Sequence, residues 1–269
     1  MPRIARQRSK SKTYHILFQG NGLRDIFIDD NDKNKFLQLL FEKSMSEGFS
    51  IYAFCLMSNH VHILLSGEHN ALGKLVKRIN TSYVYYFNKK YDRIGRLFHD
   101  RYKSEPVETD AHLLAAVRYI HNNPVKAGMI KDPSDYIWSS YHYYTDYPQK
   151  TLSCLDPLFI LEMFSEDIKE GKEQFVKFSK DADRFEFIDV VEDETIKDKE
   201  INSEIAAREF VQQFLKKNGL IDCIGLKDSK SLRNELIIEL KEKSTLSIRQ
   251  IASILGVSRG IVQRQQLKK

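Results

Sequence analysis

The chain is short of the residues that would place it in several common classes. It has only three cysteines in 269 residues, Cys55, Cys154 and Cys223, and they lie far apart. With no Cys-x-x-Cys pair there is neither a zinc ribbon nor a disulfide framework. A reducing compartment, the cytoplasm, is the expected location. No apolar run is long enough to span a membrane. The basic first dozen residues lead into no apolar stretch, so they do not read as a secretion signal. Internal repeats and low-complexity tracts are also missing. What the chain does have is 42% hydrophobic residues, enough for a packed core, and a net charge of +5. Such a balance is compatible with nucleic acid, but the local distribution of charge is the better guide.

Hydrophobic periodicity predicts a strand over residues 14–19, a helix over 32–47, a strand over 49–57, a turn at Ser58-Asn59 and a returning strand over 60–65. A long helix over 71–91 follows. Leu72, Leu75, Val76, Ile79, Val84 and Phe87 form its inner face, and Lys74, Lys77, Arg78, Lys89 and Lys90 its outer one. A strand over 101–108 is expected at a sheet edge because it contains Pro106. Thr109-Asp110 is an N-cap signal for a helix over 111–122. The order β-α-β-β-α-β, then a helix, predicts an α+β fold: a ferredoxin-like sandwich, with an antiparallel sheet and helices on one side. The aromatic segment 138–147 is expected to pack as a coil over it, and 158–178 to form one or two helices. Residues 1–178 would thus make one domain with a helical extension. Residues 179–204 are rich in Asp and Glu and read as a linker, and 205–269 read as an all-α domain. At the N-terminus, Arg3, Arg6, Arg8, Lys10 and Lys12 form a basic arm, either a solvated tail or a phosphate-contacting one.

Two short stretches carry chemistry. His60 and His62 stand two apart in a predicted strand, so they share a face while Val61 and Ile63 enter the core. A His-x-His pair suits several divalent metals, yet most strand histidines are structural, and a third ligand must come from elsewhere. The helix before Pro124 offers one. Tyr119 and Asn123 are four apart and share a helix face. Proline disfavours α geometry in the preceding residue, which places Asn123 at the helix end. On spacing alone the pair also fits a packed tyrosine and a capping asparagine.

Residues 14–178 resemble the HUH single-tyrosine transposases, in particular the REP-associated tyrosine transposase branch. The resemblance rests on Tyr14-His15 with Gly20-Asn21, then Met57-Ser58-Asn59-His60-Val61-His62, Arg101-Tyr102-Lys103, the run from Arg118 through Tyr119-Ile120-His121-Asn122-Asn123-Pro124 to Gly128, and Trp138-Ser139-Ser140-Tyr141. It implies a metal-dependent enzyme, a DNA strand transferase or nuclease, that cleaves and rejoins single-stranded or hairpin DNA through a 5′-phosphotyrosine. Tyr119 would be the nucleophile. His60, His62 and Asn123 would hold Mg²⁺ or Mn²⁺, and Arg101 and Lys103 would contact DNA. One departure is Gln19, where relatives often carry arginine. Relatives include dimers that share active sites, so Tyr119 could act in cis or in trans. A catalytically inactive DNA-binding regulator on the same fold is the alternative. A metal hydrolase built on His60-Val61-His62 would need further acidic or histidine ligands, and none is evident.

Residues 247–264 resemble a helix-turn-helix. Ile251, Ala252 and Leu255 would pack the first helix and Gly256 would permit the turn. Ser258 would cap a second helix with Ile261 and Val262 inward, leaving Arg259, Gln263 and Arg264 to meet DNA. A small helical bundle for protein contacts is the other reading.

Overall fold

The computed structural model describes residues 7–99, 101–145, 154–181, 185–190, 201, 204–220, 222–223, 225, 229–244, 246 and 248–265. Arg3 and Arg6 of the basic arm, and residues 191–200 of the acidic stretch, lie outside these. The chain divides into two compact units, the larger made of residues 1–21 and 25–190 and the smaller of residues 22–24 and 191–269.

The larger unit is built on a four-stranded antiparallel sheet with the order β2-β3-β1-β4. Its elements are β1 (Thr13–Gln19), α1 (Asp30–Ser46), β2 (Ser50–Leu56), β3 (His60–Ser66), α2 (His69–Lys90) and β4 (Lys103–Pro106). This is the expected ferredoxin-like arrangement. Strand alternation sends Ile16, Phe18, Val61, Ile63 and Leu65 to one face, where Phe36, Leu40, Leu75, Ile79 and Tyr83 of α1 and α2 cover them. β4 pairs only with β1, so Pro106 sits on an edge strand as its missing N–H requires. At the other edge, Leu56 N–H donates to the Trp138 carbonyl at 2.9 Å and Ser140 N–H to that of Phe54 at 2.9 Å. The aromatic segment therefore closes the open side of β2.

α3 (Asp110–Lys126) lies outside the βαββαβ unit and covers the opposite face of the sheet. Leu113, Ala116, Val117 and Ile120 pack there with Ala53, Cys55 and Leu64. The Thr109 hydroxyl caps it by accepting from His112 N–H. The helix was expected to stop before Pro124, but it runs through it to Lys126. Proline removes one intrahelical hydrogen bond here, close to the C-terminus, and Ala127 N–H still closes on the Asn123 carbonyl at 3.0 Å. Asn123 is thus a helical residue inside the last turns, not a terminal one. Among the described residues α4 (His142–Thr145), α5 (Pro157–Glu162) and α6 (Ile168–Phe178) follow. Residues 185–190, read from composition as part of a linker, lie against this second layer, with Phe187 packed on it.

The smaller unit has its own core. Val211, Phe214, Leu236, Ile237, Leu240, Ile251 and Val262 are buried together from α7 (Glu204–Lys217), α8 (Lys230–Lys243), α9 (Ile248–Leu255) and α10 (Arg259–Arg264). Gly256, at φ +62°, makes the turn between the last two helices. Ile251, Ala252, Leu255 and Val262 are buried as expected, Ile261 only partly. Ser258 occupies the N-cap position but its side chain makes no capping bond. Instead its carbonyl accepts from Ile261 N–H at 3.0 Å. Arg259, Gln263 and Arg264 are exposed.

Candidate active site

β3 presents His60 and His62 to the α3 layer, and α3 brings Tyr119 to them. The ring centroids of His60 and His62 are 5.1 Å apart, and those of His62 and Tyr119 are 5.5 Å apart. The expected metal and nucleophile residues therefore meet within a single chain. Asn123 is buried and neighbours both His60 and the Tyr119 hydroxyl. Its amide donates to the Tyr119 carbonyl at 3.2 Å.

The polar atoms of this cluster are unusual. His60 Nδ1 is engaged with Asn59 Oδ1 at 2.7 Å and His62 Nδ1 with His15 Nε2 at 2.8 Å. The opposite nitrogens, His60 Nε2 and His62 Nε2, are buried without a hydrogen-bond partner among the described residues, and so is the Tyr119 hydroxyl. Such atoms are expensive in a folded protein unless something else binds them. Burial pushes the His60 imidazole down to about 4, against the opposing pull of Asp189 and Asn123. His62 is also lowered well below the ordinary histidine value, by burial first and then by its closeness to His15 and His60. Both are thus neutral near pH 7, the form that binds a metal. Among the described residues, no group of three His, Cys, Asp or Glu side chains is arranged to hold a metal ion. Any third protein ligand to a metal here would be of another type, and the Asn123 amide is the polar side chain at hand.

Tyr119 is held between opposing influences. Burial raises its hydroxyl well above the ordinary tyrosine value, and the Asp189 carboxylate adds to this, while Asn123 acts the other way. The Lys126 ammonium lies 4.1 Å from the centre of the Tyr119 ring. Phe187 covers the ring with centroids 4.7 Å apart. Lys103 donates to the Asp189 carbonyl at 2.8 Å, which puts it beside the cluster. Arg101, expected to act with it, instead lines a cavity of about 820 Å³ with Lys77, Tyr85 and Arg96.

Sequence reasoning missed His15, Glu105, Lys126, Phe187 and Asp189. His15 had a signal, since alternation along β1 sets it opposite Tyr14, Ile16 and Phe18. Phe187 and Asp189 had none, because acidic composition pointed to a linker.

Residues 8–123 match the family described as "Transposase IS200 like". This part of the chain is similar to the IS200-like transposases. The matched segment carries all the residues above except Lys126, Phe187 and Asp189. The chain matches none of the curated proteins with which it was compared. Among solved structures it is similar to a REP-associated tyrosine transposase bound to a REP hairpin, with 18% identity, a TM-score of 0.48, and 56% of this chain and 90% of the other covered. It is also similar to a putative transposase from Deinococcus radiodurans R1, with 16% identity, a TM-score of 0.32, and 45% of this chain and 97% of the other covered. Among the described residues, no helix is long and apolar enough to cross a membrane.

Proposed function

We propose that this protein is a cytoplasmic, metal-dependent transposase that cleaves and rejoins single-stranded DNA beside a hairpin through a 5′-phosphotyrosine on Tyr119. The observation that carries this reading is the convergence of three buried, unpartnered atoms: His60 Nε2, His62 Nε2 and the Tyr119 hydroxyl. A nucleophile and two neutral imidazole ligands are what such a reaction requires in one place. The motifs from Tyr14-His15 to Trp138-Ser139-Ser140-Tyr141 support the REP-associated branch.

His60, His62 and Asn123 would hold the cation. A bound Mg²⁺ or Mn²⁺ would polarise a phosphoryl oxygen and stabilise the charge that develops on it. Tyr119 loses its hydroxyl proton and attacks phosphorus. The Tyr119 Oη–P bond forms, the P–O3′ bond breaks, and the departing oxygen takes up a proton as a free 3′-OH. A second 3′-OH reverses the step and rejoins the strand with no outside energy. The Lys126 ammonium over the ring favours the phenolate. A phosphodiester cannot reach the buried hydroxyl until Phe187 and Asp189 give way. Because Tyr119 lies against His62 of its own chain, the site is read as acting in cis, with no need of a dimer.

The test is incubation with a hairpin carrying a single-stranded flank, with Mn²⁺ and with EDTA. Tyr119→Phe should bind the hairpin and form no covalent adduct, and chelation should stop the wild type. An adduct mapped to another tyrosine, or full activity in EDTA, would overturn the reading. Binding without cleavage under all conditions would favour the inactive regulator.

The smaller unit is read as a helix-turn-helix that binds duplex DNA. Exposed Arg259, Gln263 and Arg264 on α10 support this. Neutralising phosphates releases counterions, so this part of the affinity should fall with salt. Arg259→Glu with Arg264→Glu should weaken binding to duplex-containing DNA and flatten its salt dependence, leaving cleavage of a short hairpin unchanged. An equal salt slope in variant and wild type would assign these helices to protein contacts.

A further inference from the structure

His15 is completely buried and enters the site as described only as the partner of His62. Its Nδ1 lies 2.6 Å from Glu105 Oε1 and its Nε2 lies 2.8 Å from His62 Nδ1. Its ring stacks on that of His62, with centroids 5.0 Å apart and planes 27° apart. Each of the two contacts holds one proton. A carboxylate only accepts, so His15 Nδ1 carries the proton of the first. A neutral His15 then offers a lone pair at Nε2, and His62 Nδ1–H must donate to it. The order runs His62 Nδ1–H to His15 Nε2, then His15 Nδ1–H to Glu105, and it leaves His62 Nε2 bare.

The opposite order is worse, because it moves the His62 proton to Nε2. The nearest carboxylate oxygen there, Asp189 Oδ1, is 4.0 Å away, beyond hydrogen-bond reach. His60 needs no such relay, because its chain neighbour Asn59 accepts from Nδ1 directly at 2.7 Å. Both imidazoles are thus set through Nδ1, one by the adjacent residue and one by residues from β1 and β4.

We propose that His15 and Glu105 are positioning residues that lock His62 as the Nδ1–H tautomer, with its Nε2 lone pair turned to a divalent cation. This rests on the reading of His60 and His62 as metal ligands. Partners of this kind fix the orientation and raise the basicity of a ligating histidine, and losing one lowers metal affinity about 10- to 100-fold. Glu105 also accepts from Ile188 N–H at 3.2 Å, so His15 is the cleaner position to change.

The experiment uses the full chain with ¹⁵N-labelled histidine. Two-bond ¹H–¹⁵N spectra of the metal-free wild type should show His62 protonated at Nδ1 alone, and this measurement needs no variant. Calorimetric titration with Mn²⁺ should give His15→Phe, which fills the space but cannot accept, an affinity about 10- to 100-fold lower. His15→Gln, whose amide oxygen can accept, should recover most of that loss. A wild-type His62 protonated at Nε2, or a His15→Phe protein that binds Mn²⁺ as tightly as wild type, would overturn the proposal. Wild type that binds no Mn²⁺ would instead overturn the metal site itself, and the relay's role with it.

Discussion

The two faces of the central sheet are both buried, yet they are built on opposite rules. Toward α1 and α2, β1 and β3 send Ile16, Phe18, Val61, Ile63 and Leu65 into an apolar layer. Toward α3, the same two strands send His15, His60 and His62 beside the apolar Leu64. There a line of hydrogen bonds runs from Glu105 through His15 to His62, whose Nε2, like His60 Nε2 and the Tyr119 hydroxyl, has no partner among the described residues. One face maximises burial of carbon. The other tolerates the cost of buried polar atoms, and a protein keeps such a cost where a ligand or a reaction removes it. Alternate residues of one strand therefore answer to stability and to chemistry.

The sharpest way to break this comparison is to exchange the roles of neighbours on β3. Val61→Asp puts a charge into the apolar layer and should cost at least about 4 kcal/mol, enough to abolish folding of the larger unit. His62→Ala should instead leave the metal-free protein folded, within about 1–2 kcal/mol of wild type, while DNA cleavage falls to background. Thermal melts beside a cleavage assay check both. If His62→Ala also unfolds, the polar face is part of the structural core and the contrast fails.

A smaller effect comes from acid. His121 is buried on α3 with its Nε2 2.7 Å from Ser140 Oγ, and burial lowers its pKa to about 3. The folded state therefore prefers neutral His121, while the unfolded chain takes up a proton below about 6.5. Stability from this group is complete above that pH and is lost progressively as pH falls toward 3. His60 acts in the same direction down to about 4. Denaturant titrations at pH 7 and pH 4.5 should differ by about 2 kcal/mol for each such group. His121→Phe should make that difference smaller, and an unchanged difference would remove His121 from the account.

The smallest effect concerns the segment over the site. The Asp189 carboxylate raises the Tyr119 hydroxyl further than burial alone. Asp189→Asn should therefore move the rising limb of the pH–cleavage profile to lower pH without altering the melt. A shift to higher pH would mean that Asp189 assists the reaction.

Much of the architecture was legible because it is local. Alternation put His60 and His62 on one face and Val61 on the other, helical spacing joined Tyr119 to Asn123, and Pro106 marked β4 as an edge. Two local rules were overridden. Pro124 did not end α3, because a proline near the end of a helix removes only one hydrogen bond while the turn before it stays packed on the sheet. The acidic composition of residues 185–190 did not keep them off the domain, because Phe187 finds an apolar partner in the Tyr119 ring.

The sequence by itself picked out His60, His62, Tyr119 and Asn123 as candidates for the chemistry and determined which face of its own element each occupies, since periods of two and of about 3.6 are properties of the chain. Only the tertiary structure decided that His15 from β1 and Glu105 from β4 stand in line behind His62. That alignment depends on two strand registers and on the pairing of elements distant in sequence. No stretch of residues encodes it alone, because the hydrogen bonds that fix register form between strands and not within them.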